Sequence, residues 1–354
     1  MRHVSVKQER GKEIFRLLQL GGGVHRDTSF QKWLAIREWL RLRPGMESEY
    51  IGQGLELEGE IIGFVGTHRD RIKIRENVTE VLVMTDTVVH PRHRGPRGLA
   101  LARHMIEQQV KQPVCGMHFT KKLGKIWKIL GAQEMKESNG TFVAVISWPA
   151  LLEERISILR FFHPLLVWLN MGILQPVINI VTGMKRVRPF VMENLRIIKH
   201  ASLAACSEQI VSNLCKRFVN AYNIGIYRDY DYLDWRYQRH PFGYYHWFMV
   251  WRASEPIGLV VFQQGKKNKI YVKEMIFDPY VGGVVEIMVA GMLEAAQMIR
   301  ASFLVSKSIL PSFILQFTDA GFHIKTKEYN QYLLAMQDIV EGPLLFTYGD
   351  FTND

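Results

Sequence analysis

VVHPRHRGPRGLA, residues Val88–Ala100, closes a run of β-branched residues and opens a run with helical spacing. Upstream, Val78–Val89 (VTEVLVMTDTVV) reads as a strand. Downstream, Leu99, Ala102, Ile106 and Val110 recur at helical intervals. Between these elements stand Arg92, Arg94 and Arg97 with Gly95 and Gly98. The first N–H groups of a helix are unsatisfied and its dipole is positive there, while glycine lets an anion approach the backbone. Arginines add charge-assisted contacts. Arginine and glycine in a loop alone read as a solvated turn, but strand, loop and helix in this order read as a phosphate cradle.

Outward from the loop, Gly54–Val65 reads as a hairpin with its turn near Glu58–Glu60. After the loop come a short strand, Val114–Phe119, a Lys-rich helix from Lys121 to Leu130 and a strand, Thr141–Trp148. The first unit therefore covers 1–150. A strongly apolar stretch, 151–183, follows within a connector of 151–187. His163, Pro164, Asn170, Gln175, Pro176 and Asn179 interrupt it, which argues against a membrane span and for short helices packed between domains. Its basic flanks, Arg155, Arg160, Lys185, Arg186 and Arg188, keep an interfacial helix as the second reading. From 188 to 354 the order of elements repeats: strand 191–198, helix 206–222, two strands in 245–262, a strand 270–277, a helix 284–300, a strand 303–305, a helix 310–320 and a strand 329–336. The shared order suggests duplication.

The chain has 354 residues, 47% of them hydrophobic, which suits two globular domains. Three cysteines, with no C-x-x-C pair, indicate neither a disulfide framework nor a zinc finger. The first residues lack the apolar run of a secretory signal, so a cytoplasmic protein is expected, with the inner membrane surface as an alternative place. The formal charge of +11 favours anionic partners. Its basic residues are scattered rather than gathered in one tail or helix, so nucleic acid is not the expected partner.

The loop resembles the acyl-CoA loop of the GNAT acetyltransferases, V-x-P-x-x-R-G-x-G-x-G/A. Val89, Pro91, Arg94, Gly95, Gly98 and Ala100 hold those places, with Pro96-Arg97 where one residue is usual. Further on, the family frame N-x-x-A-x-x-x-Y-x-x-x-G-F falls on Thr120, Leu123, Trp127, Gly131 and Ala132, so Trp127 stands where many members carry a tyrosine. The resemblance implies an α+β fold: two GNAT-like domains, each a mixed, mostly antiparallel sheet flanked by helices, joined by the apolar connector. It also implies acyl-CoA as co-substrate. The residues holding it would be Val88, Val89, Arg92, Arg94, Gly95, Arg97, Gly98, Leu99 and Ala100, with Thr120 and Trp127 beside the thioester.

The second half is similar to bacterial GNAT-like proteins with a D-Y-L-x-W-R-Y-x-x-H-P-x-x-x-Y signature, matched by Asp231, Tyr232, Leu233, Trp235, Arg236, Tyr237, His240, Pro241 and Tyr245. We read these residues as a packed aromatic corner in which Arg236 stacks on a ring. Where a second phosphate loop would lie, DPYVGGVVEIM offers no arginine and places Asp278 at the mouth. This half is expected not to hold CoA, and to complete the acceptor pocket or brace the first domain.

A base must take the proton of the acceptor ammonium. Asp86 sits on the strand that leads to the loop, and alternation places Met84, Asp86 and Val88 on one face. Glu80 is the second candidate, and His90 and His93 are further alternatives. Backbone N–H near Val88–Val89 would polarise the carbonyl. No histidine and carboxylate spacing indicates a metal. The expected activity is acyl transfer from acyl-CoA to a primary amine, an amino sugar or an amine-bearing lipid precursor of the bacterial envelope. The alternatives are an aminoacyl-tRNA-dependent transferase of tandem GNAT build and a non-catalytic binding protein. Residues 151–183 would supply any peripheral membrane contact.

Overall fold

The computed structural model describes residues 1–22, 28–95, 99–101, 103–104, 113–119, 125–126, 133–135, 140–145, 194–265, 268–307, 317, 319–320, 322–326, 330–334 and 344–345. Arg97, Gly98, Thr120, Trp127 and the connector 151–187 lie outside the described residues.

The described residues form two mixed sheets flanked by helices. The chain opens with strand β1 (Arg2–Val6), helix α1 (Gly11–Gly21) and helix α2 (Phe30–Arg41). In α1, Ile14, Leu17 and Leu18 fall on one face and are buried, and Gly22 ends the helix at φ +76°. Helix α2 starts on Ser29, whose hydroxyl accepts from Lys32 N at 3.1 Å. A meander follows: β2 (Gly52–Leu57), β3 (Glu60–Ile74) and β4 (Asn77–Val89). The turn from β2 to β3 uses Glu58 and Gly59, both at positive φ, which matches the right-handed twist of a hairpin. Strand β5 (Val114–Phe119) then lies parallel to β4, with β6 (Gln133–Met135) and β7 (Gly140–Val145) after it.

The later chain contributes β8 (Leu195–His200), α3 (Glu208–Phe218) and β9 (Ile224–Ile226). Helix α4 (Tyr230–Leu233) runs on as a π turn through Asp234–Gln238. There follow β10 (Tyr245–Arg252), β11 (Glu255–Gln264), β12 (Lys269–Phe277), α5 (Val284–Met298), β13 (Phe303–Lys307), β14 (His323–Thr326), β15 (Asn330–Leu334) and β16 (Leu344–Leu345). In α3, Val211, Leu214, Cys215 and Phe218 repeat at helical spacing and are buried. Residues all round α5 are buried, as befits a helix inside the core.

The first sheet runs β1-β2-β3-β4-β5-β15-β6 and the second β8-β10-β11-β12-β13-β7-β14. The strand orders match, with one exchange. Strand β7, from the first half, lies between β13 and β14, and β15, from the second half, lies between β5 and β6. The sequence reading placed the strand near 141–148 within the first unit. Hydrophobic alternation marks a strand but not its neighbour, and the partner of β7 comes from 158 residues away in register Phe303↔Val145. Strand β9 also crosses over, pairing antiparallel with the far end of β3 at Ile72–Ile74. One apolar core joins Trp39, Leu40, Ile72, Val81 and Val83 to the second sheet and its helices.

Candidate functional site

Two irregularities of β4 open the site. Strands β3 and β4 pair one to one as far as Gly66↔Thr85 and resume at Phe64↔Val88, so Asp86 and Thr87 together face Val65. That is a β-bulge, and its bent residue, Asp86, takes φ +45°. On the other edge, β4 pairs with β5 only from Leu82↔Val114 to Met84↔Gly116, although β4 continues to Val89 and β5 to Phe119. Beyond Met84 the parallel strands part. His90 N donates to Ile62 O at 2.8 Å, so alternation turns the Val89 N–H away from β3 and toward the parted edge.

The bulge corrects the expected facing of side chains. Strict alternation would put Met84, Asp86 and Val88 together. Instead, Met84 packs with Leu55, Ile62, Leu101 and Val114, and Val88 with Ile14, Leu17, Leu18 and Trp33. The extra residue shifts the phase of the strand by one. Asp86 goes with Val88, toward α2. Trp33 Nε1 donates to Asp86 Oδ2 at 3.2 Å, and Arg37 Nη1 stands 3.5 Å from the same oxygen.

Arg37 is fully buried. It donates through Nη2 to Ile51 O at 2.6 Å and Thr67 O at 2.9 Å, and through Nη1 to the Thr85 hydroxyl. Burial lowers its pKa, and Asp86 partly offsets that. Gly66 makes room for the guanidinium, since a Cβ there would lie 2.8 Å from Arg37 Cζ and Nη1. Sequence reasoning missed α1 and α2, and with them Trp33 and Arg37. Ser29 as an N-cap, followed by apolar residues at 33, 36 and 40, was the available signal.

The loop follows β4 directly. Residues Pro91–His93 form one 3-10 turn, capped by His90 Nδ1 accepting from Arg92 N at 3.2 Å. Gly95 takes φ +91°, and Leu99 N donates to Gly95 O at 3.1 Å. Arg92, Arg94 and Gly95 are exposed, His93, Val89, Leu99 and Ala100 half-buried, and Val88 buried. Arg94 Nη2 donates to Gly21 O at 3.3 Å, joining the loop to the end of α1. Gly21 is closely packed there: a Cβ on it would lie 2.1 Å from Val88 Cγ2.

Glu80 lies six residues before Asp86, about 20 Å back along the strand. It is half exposed and 4.0 Å from Arg69 Nη1. The structure does not bring it to the loop.

In the second half, Asp278 accepts from Tyr280 N at 3.0 Å and pairs with Arg217 at 2.7 Å. The Asp278 carboxylate, just past the end of β12, is thus engaged by the chain itself. Behind it, Glu274 is fully buried with Arg228 Nε at 3.3 Å and the Tyr237 hydroxyl at 3.1 Å. The aromatic corner is present and extends across the halves. Arg236 lies over the rings of Trp39 and Trp235, at 5.2 and 5.7 Å, and the His240 ring meets Trp39 edge-on at 4.5 Å. Burial, then the neighbouring Arg236, pushes His240 down to about 3. His68 is buried beside Trp235, and burial followed by Arg37, Arg236 and Arg43 lowers it well below the usual imidazole range. Among the described residues no group of three or more His, Cys, Asp or Glu is placed to hold a metal ion, and no helix is long and apolar enough to cross a membrane.

No protein-family model and no curated protein matches the sequence. Solved structures do match the fold. A GCN5-related N-acetyltransferase from Anabaena variabilis aligns with a TM-score of 0.63 at 9% identity, over 95% of this chain and 73% of that one. A GCN5-related N-acetyltransferase from Kribbella flavida gives 0.57 at 10% identity, over 94% and 70%. N-myristoyltransferase of Saccharomyces cerevisiae, with bound myristoyl-CoA and inhibitors, gives 0.55 at 10% identity, over 94% and 79%. The chain has the GNAT fold.

Proposed function

We propose that this chain moves an acyl group from acyl-CoA to a primary amine, at the place where β4 parts from β5. The observation that carries the reading is the combination on β4 of a bulge, a parted parallel edge and an arginine loop at its end. The loop, with Arg92, Arg94, Gly95, Leu99 and Ala100, would take the pyrophosphate, joined by Arg97 and Gly98. The thioester would lie along the parted edge, where the Val89 N–H can donate to its carbonyl oxygen as charge develops there. Asp86 would accept the proton of the ammonium, through water, since about 10 Å of strand separates it from Val89. The neutral amine then attacks the carbonyl carbon, its nitrogen gives a second proton to water as the amide forms and the C–S bond breaks, and CoA leaves as a thiolate that takes a proton from solvent.

Two GNAT-like units, drawn from 1–150 and 188–354 with β7 and β15 exchanged between their sheets, would then share the work: the first holds the thioester, and the second, with Asp278 in place of a loop arginine, walls the acceptor side. An amino sugar or amine-bearing lipid precursor remains the proposed acceptor class. Titration calorimetry with acetyl-CoA and myristoyl-CoA, followed by thiol release in the presence of primary amines, tests the reading. Binding of a thioester and amine-dependent release of CoA are expected. No binding of either thioester would overturn it, and would favour a charged tRNA donor or a non-catalytic role.

A further inference from the structure

Arg37 is a fully buried charged side chain to which the reaction above assigns no step. We infer that it is a positioning residue: by bracing the β4 bulge it fixes the direction of the Asp86 carboxylate toward the acceptor amine. The inference rests on the acyl-transfer reading and adds to it a residue from α2, outside the strand and loop that the reading uses.

The guanidinium bonds groups on β3, on β4 and on the residue that precedes β2. Its Nη2 bonds Ile51 O, just before β2, and Thr67 O on β3, while its Nη1 bonds the Thr85 hydroxyl and faces Asp86 on β4. A planar fork of fixed donors can satisfy such a set, and a lysine ammonium cannot reach all of it at once. Asp86 adopts the left-handed region, which a residue other than glycine keeps only where its surroundings enforce it. The surroundings are Trp33 and Arg37, one turn apart on α2, both directed at Asp86 Oδ2. Gly66, across from Thr85, leaves the guanidinium its space. If the only need were to fasten α2 to the sheet, an apolar residue would serve, because a buried ion pair is often no more stable than well-packed hydrophobic residues of similar volume. A fork that grips the carbonyls of Ile51 and Thr67, the Thr85 hydroxyl next to the bulge and the carboxylate within it controls direction.

The test compares the intact chain with Arg37→Lys, Asp86→Asn and the double variant, using acetyl-CoA or myristoyl-CoA with n-butylamine and glucosamine, whichever pair releases CoA fastest in the unaltered protein. Arg37→Lys should lower kcat at least tenfold while the acyl-CoA Kd stays within threefold. In the Asp86→Asn background, Arg37→Lys should cost less than a further twofold, because residues acting through one another are not additive. Unchanged kcat in the lysine variant, or losses that multiply in the double variant, would overturn the inference and leave acyl transfer standing. An unaltered chain that binds no thioester overturns acyl transfer itself, and the inference with it. Should Arg37→Lys fail to fold, Thr85→Val removes one acceptor with little change of shape. It should show the same split with about a threefold loss of kcat, and unchanged kcat there would equally overturn the role of Arg37.

Discussion

Trp39 and Trp235 hold each other by reciprocal hydrogen bonds: Trp39 Nε1 donates to Trp235 O at 3.0 Å, and Trp235 Nε1 donates to Trp39 O at 3.1 Å. Their rings stack with centroids 4.9 Å apart and planes 20° from parallel. One comes from α2 in the first half and the other from the π turn in the second, so the pair ties the helix that carries Trp33 and Arg37 to the opposite half. Trp39→Phe leaves a buried carbonyl without its donor and removes ring area. Urea denaturation should show a loss of about 1–3 kcal/mol for each single Phe variant, and less than the sum for both together. Additive losses would mean the two tryptophans act independently.

The sequence made the loop and its strand legible because the elements are local: a β-branched run, glycines and arginines, then helical spacing, all within Val78–Val110. The hairpins Gly54–Val65 and Tyr245–Phe262 were legible for the same reason, and the Arg236 stack because its aromatic partner Trp235 is adjacent in sequence. Trp39 was out of reach, because only the fold brings residue 39 to residue 235. The β4 bulge was equally hidden. An inserted residue leaves β-branched content unchanged, and its sign is a register break against β3, which no single strand reveals.

His240 gives the fold a pH dependence. Its Nδ1 accepts from Phe242 N at 3.2 Å, a bond available only to the neutral ring at that nitrogen. The folded pKa of about 3 lies below the unfolded value of about 6.5. The unfolded chain therefore takes the proton first, so stability is full above about pH 6.5 and falls as pH drops toward 3, at up to about 1.4 kcal/mol per unit for this group. Denaturation midpoints at pH 7.5 and 5.5 should differ in that direction. His240→Asn, which keeps an acceptor near the Nδ1 position, should reduce the difference. His68, shifted the same way, should preserve part of it.

Arg94 separates binding from stability. It is exposed, and its one described bond, to Gly21 O, is long at 3.3 Å. Arg94→Ala should leave the melting temperature within a degree or two, as is usual for surface changes. Acyl-CoA affinity should fall about tenfold, as expected for losing one charge-assisted contact to a phosphate, with a smaller loss at high salt. Calorimetry at low and high salt reads both, and an affinity that does not change would move the pyrophosphate away from this loop.

The strand exchange predicts what removing the end of the chain does. Strand β15 pairs with β5 from Asn330↔Phe119 to Leu334↔Val114 and with β6 from Leu333↔Gln133 to Gln331↔Met135. A chain ending at Glu328 would leave β5 with a bare edge on the side away from β4, and β6 with no strand partner among the described residues. Exposed edges of apolar strands invite pairing with other chains. Although the deletion lies in the second half of the sequence, its damage should fall on the first sheet: lost acyl-CoA binding, and aggregates on size-exclusion chromatography. A chain ending at Phe346 keeps β15 and β16 and should remain monodisperse and bind. If the chain ending at Glu328 stayed monodisperse with acyl-CoA affinity intact, β15 would not be a strand of the first sheet, and each half would complete its own.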